Sequence, residues 1–167
     1  KYVARWDGAA WSALGGGMID AVRALAVDSG SDTLYAGGQF LGYIAQWNGV
    51  TLSAVGGGAD FGVIALAVDR GSALYAGGYF SQAGGVSASR VAQWNGTAWS
   101  PLGTGMDGPV RALAVDREGV LYAGGDFTTA GGVNANHVAK WNGAAWSPLG
   151  SGMNGPENCP MCIQDGK

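Results

Sequence analysis

The run Cys159-Pro160-Met161-Cys162 holds both cysteines of this 167-residue chain and has its plainest capacity for chemistry. Two cysteines at that spacing can form a redox pair, half a zinc site or a disulfide. No histidine follows them directly, which excludes a c-type haem attachment. A pair supplies two zinc ligands, and His137 is the one histidine of the chain, so one copy does not complete a zinc site. The expectation is a disulfide within or between chains in an oxidising compartment, or a small buried Cys162 standing where Ala114 stands elsewhere.

Seven tryptophans are the second resource. Exposed indoles make stacking platforms for sugars, whereas buried ones fill space between sheets. Trp11, Trp99 and Trp146 share one repeat position, and Leu52 is its fourth occupant. Leucine packs but offers no sugar platform, so packing is expected, each buried indole contributing about 2–3 kcal/mol. Asp28, Asp69 and Asp116 recur, as do Asn48, Asn95 and Asn142. Calcium needs about 6–8 oxygens around one point; one carboxylate per copy reads instead as a cap on its own turn. Glu118 and Glu157, the only glutamates, fall in turns, and no paired catalytic carboxylates, nucleophile elbow or P-loop is present. The chain is read as a non-enzyme without cofactor or metal. Asn95-Gly96-Thr97 is a glycosylation sequon if the chain is secreted by a eukaryote.

These residues recur because the elements that position them recur. Leu34-Tyr35-Ala36-Gly37-Gly38, Leu74-Tyr75-Ala76-Gly77-Gly78 and Leu121-Tyr122-Ala123-Gly124-Gly125 are three copies of one block. Leu-Ala-Val-Asp recurs at 25–28, 66–69 and 113–116. Trp6, Trp47, Trp94 and Trp141 each open a Trp-Asn-Gly or Trp-Asp-Gly turn, at spacings of 41, 47 and 47 residues. A period of about 40–50 residues with several short strands per copy marks a β-propeller or repeat array.

In the last copy, strand a is Val110 to Asp116 and a turn at Asp116-Arg117-Glu118-Gly119 follows. Strand b is Val120 to Ala123, running into Gly124-Gly125. Strand c is Val138 to Trp141, Asn142-Gly143 is a hairpin turn, and strand d is Ala145 to Leu149. Pro101 and Pro148 fall in strand d, and proline is tolerated mainly on a sheet edge, so d is the outer edge. Four antiparallel strands per copy make a propeller blade. No segment keeps a helical period through the glycines. Arg23 and Arg111 share a strand-a position with Ile64 and either line a central channel or form ion pairs.

Tyr122, Gly124, Gly125, Trp141, Trp146, Leu149, Met153 and Pro156 form a pattern that resembles a kelch repeat. Tyr75, Gly77, Gly78, Trp94, Trp99, Leu102, Met106 and Pro109 match it again. The likeness covers nearly the whole chain and is greatest to the Ala-Gly-Gly/Trp-Asn-Gly variety of bacterial surface proteins and fungal cortical polarity-marker ectodomains. The Trp-Asn-Gly turn departs from the usual kelch Tyr-Asp and longer turn. The resemblance implies a β-propeller. Some kelch propellers are copper oxidases, but this chain lacks the histidines for that site.

The expected organisation is one repeat domain over 1–167: strands c and d of a partial blade (3–14), blades at 21–55, 62–103 and 109–150, and a diverged tail (157–167) as a possible strand a. That makes an all-β segment of three full blades plus a split one lacking strand b. Three explanations stand: excision from a longer propeller, completion of one chain's blade by another, or a distorted four-bladed ring. The b–c connection is seven residues shorter in the first copy, at Leu41-Gly42-Tyr43, than at Ser81 to Ser87 or Thr128 to Asn134. Loop variation on a fixed scaffold is where binding specificity usually resides.

Composition fits this reading. There are 32 glycines and 13% charged residues, against about 7% and about 25% in average proteins. The net charge is −3 with no basic cluster, which argues against nucleic acid. No stretch approaches the roughly 18 apolar residues of a membrane helix. The expected role is an extracellular or cell-surface structural component, a scaffold or adhesin that self-associates or joins neighbouring blades. The alternative is a lectin-like propeller with glycan partners.

Overall fold

A computed structural model of the protein describes residues 2–153. The cysteine pair Cys159 and Cys162 and the tail 157–167 lie outside the described residues.

The described chain is all β. Strands β1 (Ala4–Trp6) and β2 (Trp11–Ala13) form an antiparallel ribbon. Then come β3 (Val22–Asp28), β4 (Thr33–Gly38), β5 (Ile44–Trp47) and β6 (Leu52–Ala54), paired antiparallel in the order β3-β4-β5-β6. The second copy contributes β7 (Val63–Val68) and β8 (Leu74–Gly78), a two-stranded ribbon of β9 (Gln82–Ala83) and β10 (Val86–Ser87), then β11 (Val91–Trp94) and β12 (Trp99–Pro101). The third repeats this with β13 (Val110–Val115), β14 (Leu121–Gly125), a ribbon of β15 (Thr129–Ala130) and β16 (Val133–Asn134), then β17 (Val138–Trp141) and β18 (Trp146–Pro148). Each copy is thus one four-stranded antiparallel sheet with its strand d at an edge, where Pro101 and Pro148 cost no ladder hydrogen bond.

Two features differ from the sequence expectation. The b–c inserts are not plain loops: Ala83 pairs with Val86, and Ala130 with Val133, in short ribbons. Asp60 and Asp107 order them. Asp60 accepts from the Ser81 and Gln82 amides and the Ser81 hydroxyl; Asp107 accepts from the Thr128 and Thr129 amides and the Thr128 hydroxyl. The first copy has exposed Ile19 at the equivalent position, and there the ribbon is absent. Secondly, every a–b pair slips register once, between Val22 and Ala24, Val63 and Ala65, and Val110 and Ala112. The bulged residues are Arg23, Ile64 and Arg111, the recurrent strand-a position noted above. A bulge re-aims its side chain.

The double glycines have two separate causes. The second of each pair lies against the entry to its own strand a: a Cβ on Gly38, Gly78 or Gly125 would collide with the carbonyl oxygen of Ala21, Gly62 or Pro109. The first sets the spacing between sheets. A Cβ on Gly37 would stand 2.7 Å from Val63 Cγ1, and one on Gly77 would stand 2.6 Å from Val110 Cγ1. Strand b of each sheet therefore receives strand a of the next. Between sheets one and two lie Tyr35, Ile44, Leu66, Leu74 and Trp99; between sheets two and three lie Tyr75, Val91, Leu102, Leu121 and Trp146. Burial of such side chains against a neighbouring sheet is the main stabilising term in a stacked repeat.

Candidate functional site

The turn residues act within their own turns. Asp69 Oδ1 accepts from the Gly71 and Ala73 amides, and Asp116 Oδ1 from those of Glu118 and Val120. Their Oδ2 atoms receive the Tyr75 and Tyr122 hydroxyls at 3.1 Å. Asp28 caps Gly30 and also accepts from Ser72 Oγ of the next sheet at 3.0 Å. The Ser31 hydroxyl, outweighing the desolvation of the site, holds the Asp28 carboxyl below its usual range. Burial first, and the Asp69 charge second, push the Tyr75 phenol up to about 12. Asn48, Asn95 and Asn142 each accept two backbone amides of the c–d hairpin. This is the capping chemistry that the recurrence implied.

The two arginines of the bulge position part ways. Arg111 makes a two-pronged contact with Asp126, Nε to Oδ1 at 2.7 Å, and lies 5.7 Å from the Tyr79 ring centroid. Arg23 has no carboxylate within 4.0 Å among the described residues.

The tryptophans divide by position in the stack. Trp99 Nε1 donates to Val55 O at 3.2 Å, and Trp146 Nε1 to Leu102 O at 2.8 Å, each 44 residues back in the preceding sheet. Both are 5% exposed. The hairpin-opening indoles pack on a glycine of the loop before them. A Cβ on Gly15 would stand 2.9 Å from Trp47, one on Gly56 would overlap Trp94, and one on Gly103 would stand 3.5 Å from Trp141. In the second and third copies the two indoles of the c–d hairpin also meet at a tilt: Trp94 with Trp99 at 5.5 Å and 46°, and Trp141 with Trp146 at 5.4 Å and 50°.

Trp6 and Trp11 form the same pair at 5.5 Å, but among the described residues no sheet lies before them in the stack. They are 49% and 70% exposed, so the expectation that the tryptophans pack between sheets holds for Trp99, Trp141 and Trp146 and not for these two. Among the described residues the opposite end is open in the matching way. Gly150, in the loop position of Gly56 and Gly103, has nothing within 4 Å of its Cβ direction among the described residues. Leu149 stands where Val55 and Leu102 accept an indole. Gly124 has no closer contact among the described residues than His137 O at 3.9 Å, whereas its equivalents Gly37 and Gly77 are buried against the next sheet. Leu25 is 53% exposed where Leu66 is 9% exposed, because among the described residues no strand b lies before it. The candidate site is therefore two end faces: donors Trp6, Trp11 and Leu25 at the front, receptors Gly124, Leu149 and Gly150 at the back. Sequence reading singled out the tryptophans, Gly124 and Leu149; Gly150 emerges once the stacking direction is known.

No protein-family model matches the chain, and no curated protein matches its sequence.

Proposed function

We propose that this chain is a segment of a kelch-like β-propeller, extracellular or exposed at a cell surface, that works as a structural scaffold or adhesin. It associates blade on blade, with a second copy of itself or with further blades of a longer chain. One observation carries the reading: Trp11 is 70% exposed, while Trp99 and Trp146 at the same repeat position are buried and hydrogen-bonded to the preceding sheet. A large exposed indole, with a counterpart position at the other end of the chain that no described residue fills, supports a head-to-tail contact, which closes a ring or propagates a filament. The low charge and glycine-rich strands support the surface location.

Light scattering of the full chain over a range of concentrations tests this. The reading predicts a mass above 16.8 kDa that rises with concentration and falls back to the monomer in Trp11→Asp. Dispersal of the assembly by reductant would assign a cross-link to Cys159 and Cys162. A monomer at every concentration, or an assembly indifferent to Trp11, contradicts self-association.

A further inference from the structure

One rim of the stack, where strands a and c begin and strand b ends, departs from the repeat. Phe40, Phe80 and Phe127 are invariant there and buried; the double glycines beside them are invariant too, buried in the first two copies and half-buried at Gly124 and Gly125. The residues pointing past them change in chemical type. Asp20, Phe61 and Gly108 share the position before strand a; Gln39, Tyr79 and Asp126 share the one after strand b; Tyr43, Arg90 and His137 share the one before strand c. Copies of one repeat diverge in this way where selection acts on a surface and not on the packing beneath it.

The divergence builds a groove between sheets one and two, about 410 Å³ in volume, lined by Asp20, Gln39, Tyr43, Phe61, Gly62 and Tyr79. That volume lies in the roughly 300–1,000 Å³ range of small-molecule sites. It opens there because the first copy lacks the b–c ribbon, leaving Tyr43 in its short loop. Tyr43 stacks on Phe61 at 6.1 Å and 24°, and Phe61 meets Tyr79 edge-on at 6.5 Å and 78°. Phe61 is 59% exposed, and Arg111, held by Asp126, lies over the Tyr79 ring at 5.7 Å from its centroid.

We propose that this groove binds a short neutral oligosaccharide. The aromatic faces carry negative quadrupole charge and suit the C–H faces of sugar rings. Around them stand a carboxylate, an amide and two phenols, which together both accept and donate hydrogen bonds. A ligand with apolar faces and hydroxyl edges satisfies that set. A polyproline segment also docks on aromatic grooves, but its carbonyls only accept, and they would leave Asp20 facing an acceptor. An acidic sugar would meet the Asp20 charge. The site is separate from the end-face tryptophans, so its occupancy does not depend on the association proposed above.

Titration calorimetry with cello-, manno-, xylo-, chito- and maltohexaose, a polygalacturonate fragment and a proline-rich peptide decides the matter. The expected result is millimolar or tighter binding of at least one neutral hexaose. Phe61→Ala and Tyr79→Ala should each weaken it by about tenfold, a loss of one stacking contact. Asp20→Asn should weaken it too, and Trp11→Asp should leave it unchanged. Thermal melts of the variants check that they fold. No binding by any neutral hexaose overturns the proposal. So does binding that survives Phe61→Ala, that is lost in Trp11→Asp, or that favours the polyuronate or the peptide.

Discussion

Alanine at the first glycine of each double-glycine block should give opposite results at positions that are identical in sequence. Carbon atoms in contact rest about 3.5–4.0 Å apart. A Cβ on Gly37 would stand 2.7 Å from Val63 Cγ1; one on Gly77 would stand 2.6 Å from Val110 Cγ1 and 3.1 Å from Val110 Cβ. Each substitution must open the sheet–sheet gap by about 1 Å, and overpacking of this kind costs about 1–3 kcal/mol. Reduced unfolded-state entropy returns about 0.5–1 kcal/mol. The net effect of Gly37→Ala or Gly77→Ala is a loss of about 0.5–2 kcal/mol. Gly124→Ala meets nothing closer than 3.9 Å among the described residues, so only the gain remains. The separation between the two classes is then about 2 kcal/mol, or roughly 4–8 °C in Tm at this chain length. Urea unfolding followed by tryptophan fluorescence, at concentrations below assembly, reads it. Equal destabilisation by all three alanines would refute the argument, since Gly124 would then be covered like its equivalents.

Three further outcomes follow from the same geometry. Trp146→Phe should cost about 1–3 kcal/mol through a lost buried hydrogen bond and lost volume, while Trp11→Phe should change dilute-chain stability by under about 0.5 kcal/mol; urea midpoints of the two variants compare them directly. Asp107→Ala removes three hydrogen bonds and should release the β15–β16 ribbon while sparing β13 and β14, measured as faster amide exchange at Thr128 and Thr129. The raised Tyr75 phenol stays protonated in the fold up to about 12, whereas an unfolded phenol ionises near 10. Its contribution is intact below pH ~10 and is lost as pH rises towards ~12, and Tyr75→Phe should flatten that part of the stability–pH curve.

The strands were legible because their signals are local. The Leu-Tyr-Ala-Gly-Gly block, the Asn-Gly hairpins and the edge prolines each constrain a few neighbouring residues, and β17 spans the expected residues 138–141. The capping aspartates were legible for the same reason. The ribbons β9–β10 and β15–β16 were not, because their order comes from Asp60 and Asp107, 21 and 22 residues away in sequence. Nor could sequence separate Trp11 from Trp99 and Trp146: the residue and its neighbours repeat, and only the presence or absence of a preceding sheet distinguishes them. The aromatic groove was hidden for a related reason. Tyr43, Phe61 and Tyr79 come from different repeat positions and two different copies, and only the stacking direction brings them together.

The most direct measurement mixes two chains, each blocked at one end. Trp11→Asp disables the front face, and Gly150→Leu fills the back face at the loop position where Trp6 of a following copy would pack, as Trp94 packs on Gly56 and Trp141 on Gly103. Each variant alone should sediment as a 16.8 kDa monomer, and an equal mixture should form a dimer through the front of one and the back of the other. A mixture that stays monomeric, or either variant assembling alone, would contradict the head-to-tail account.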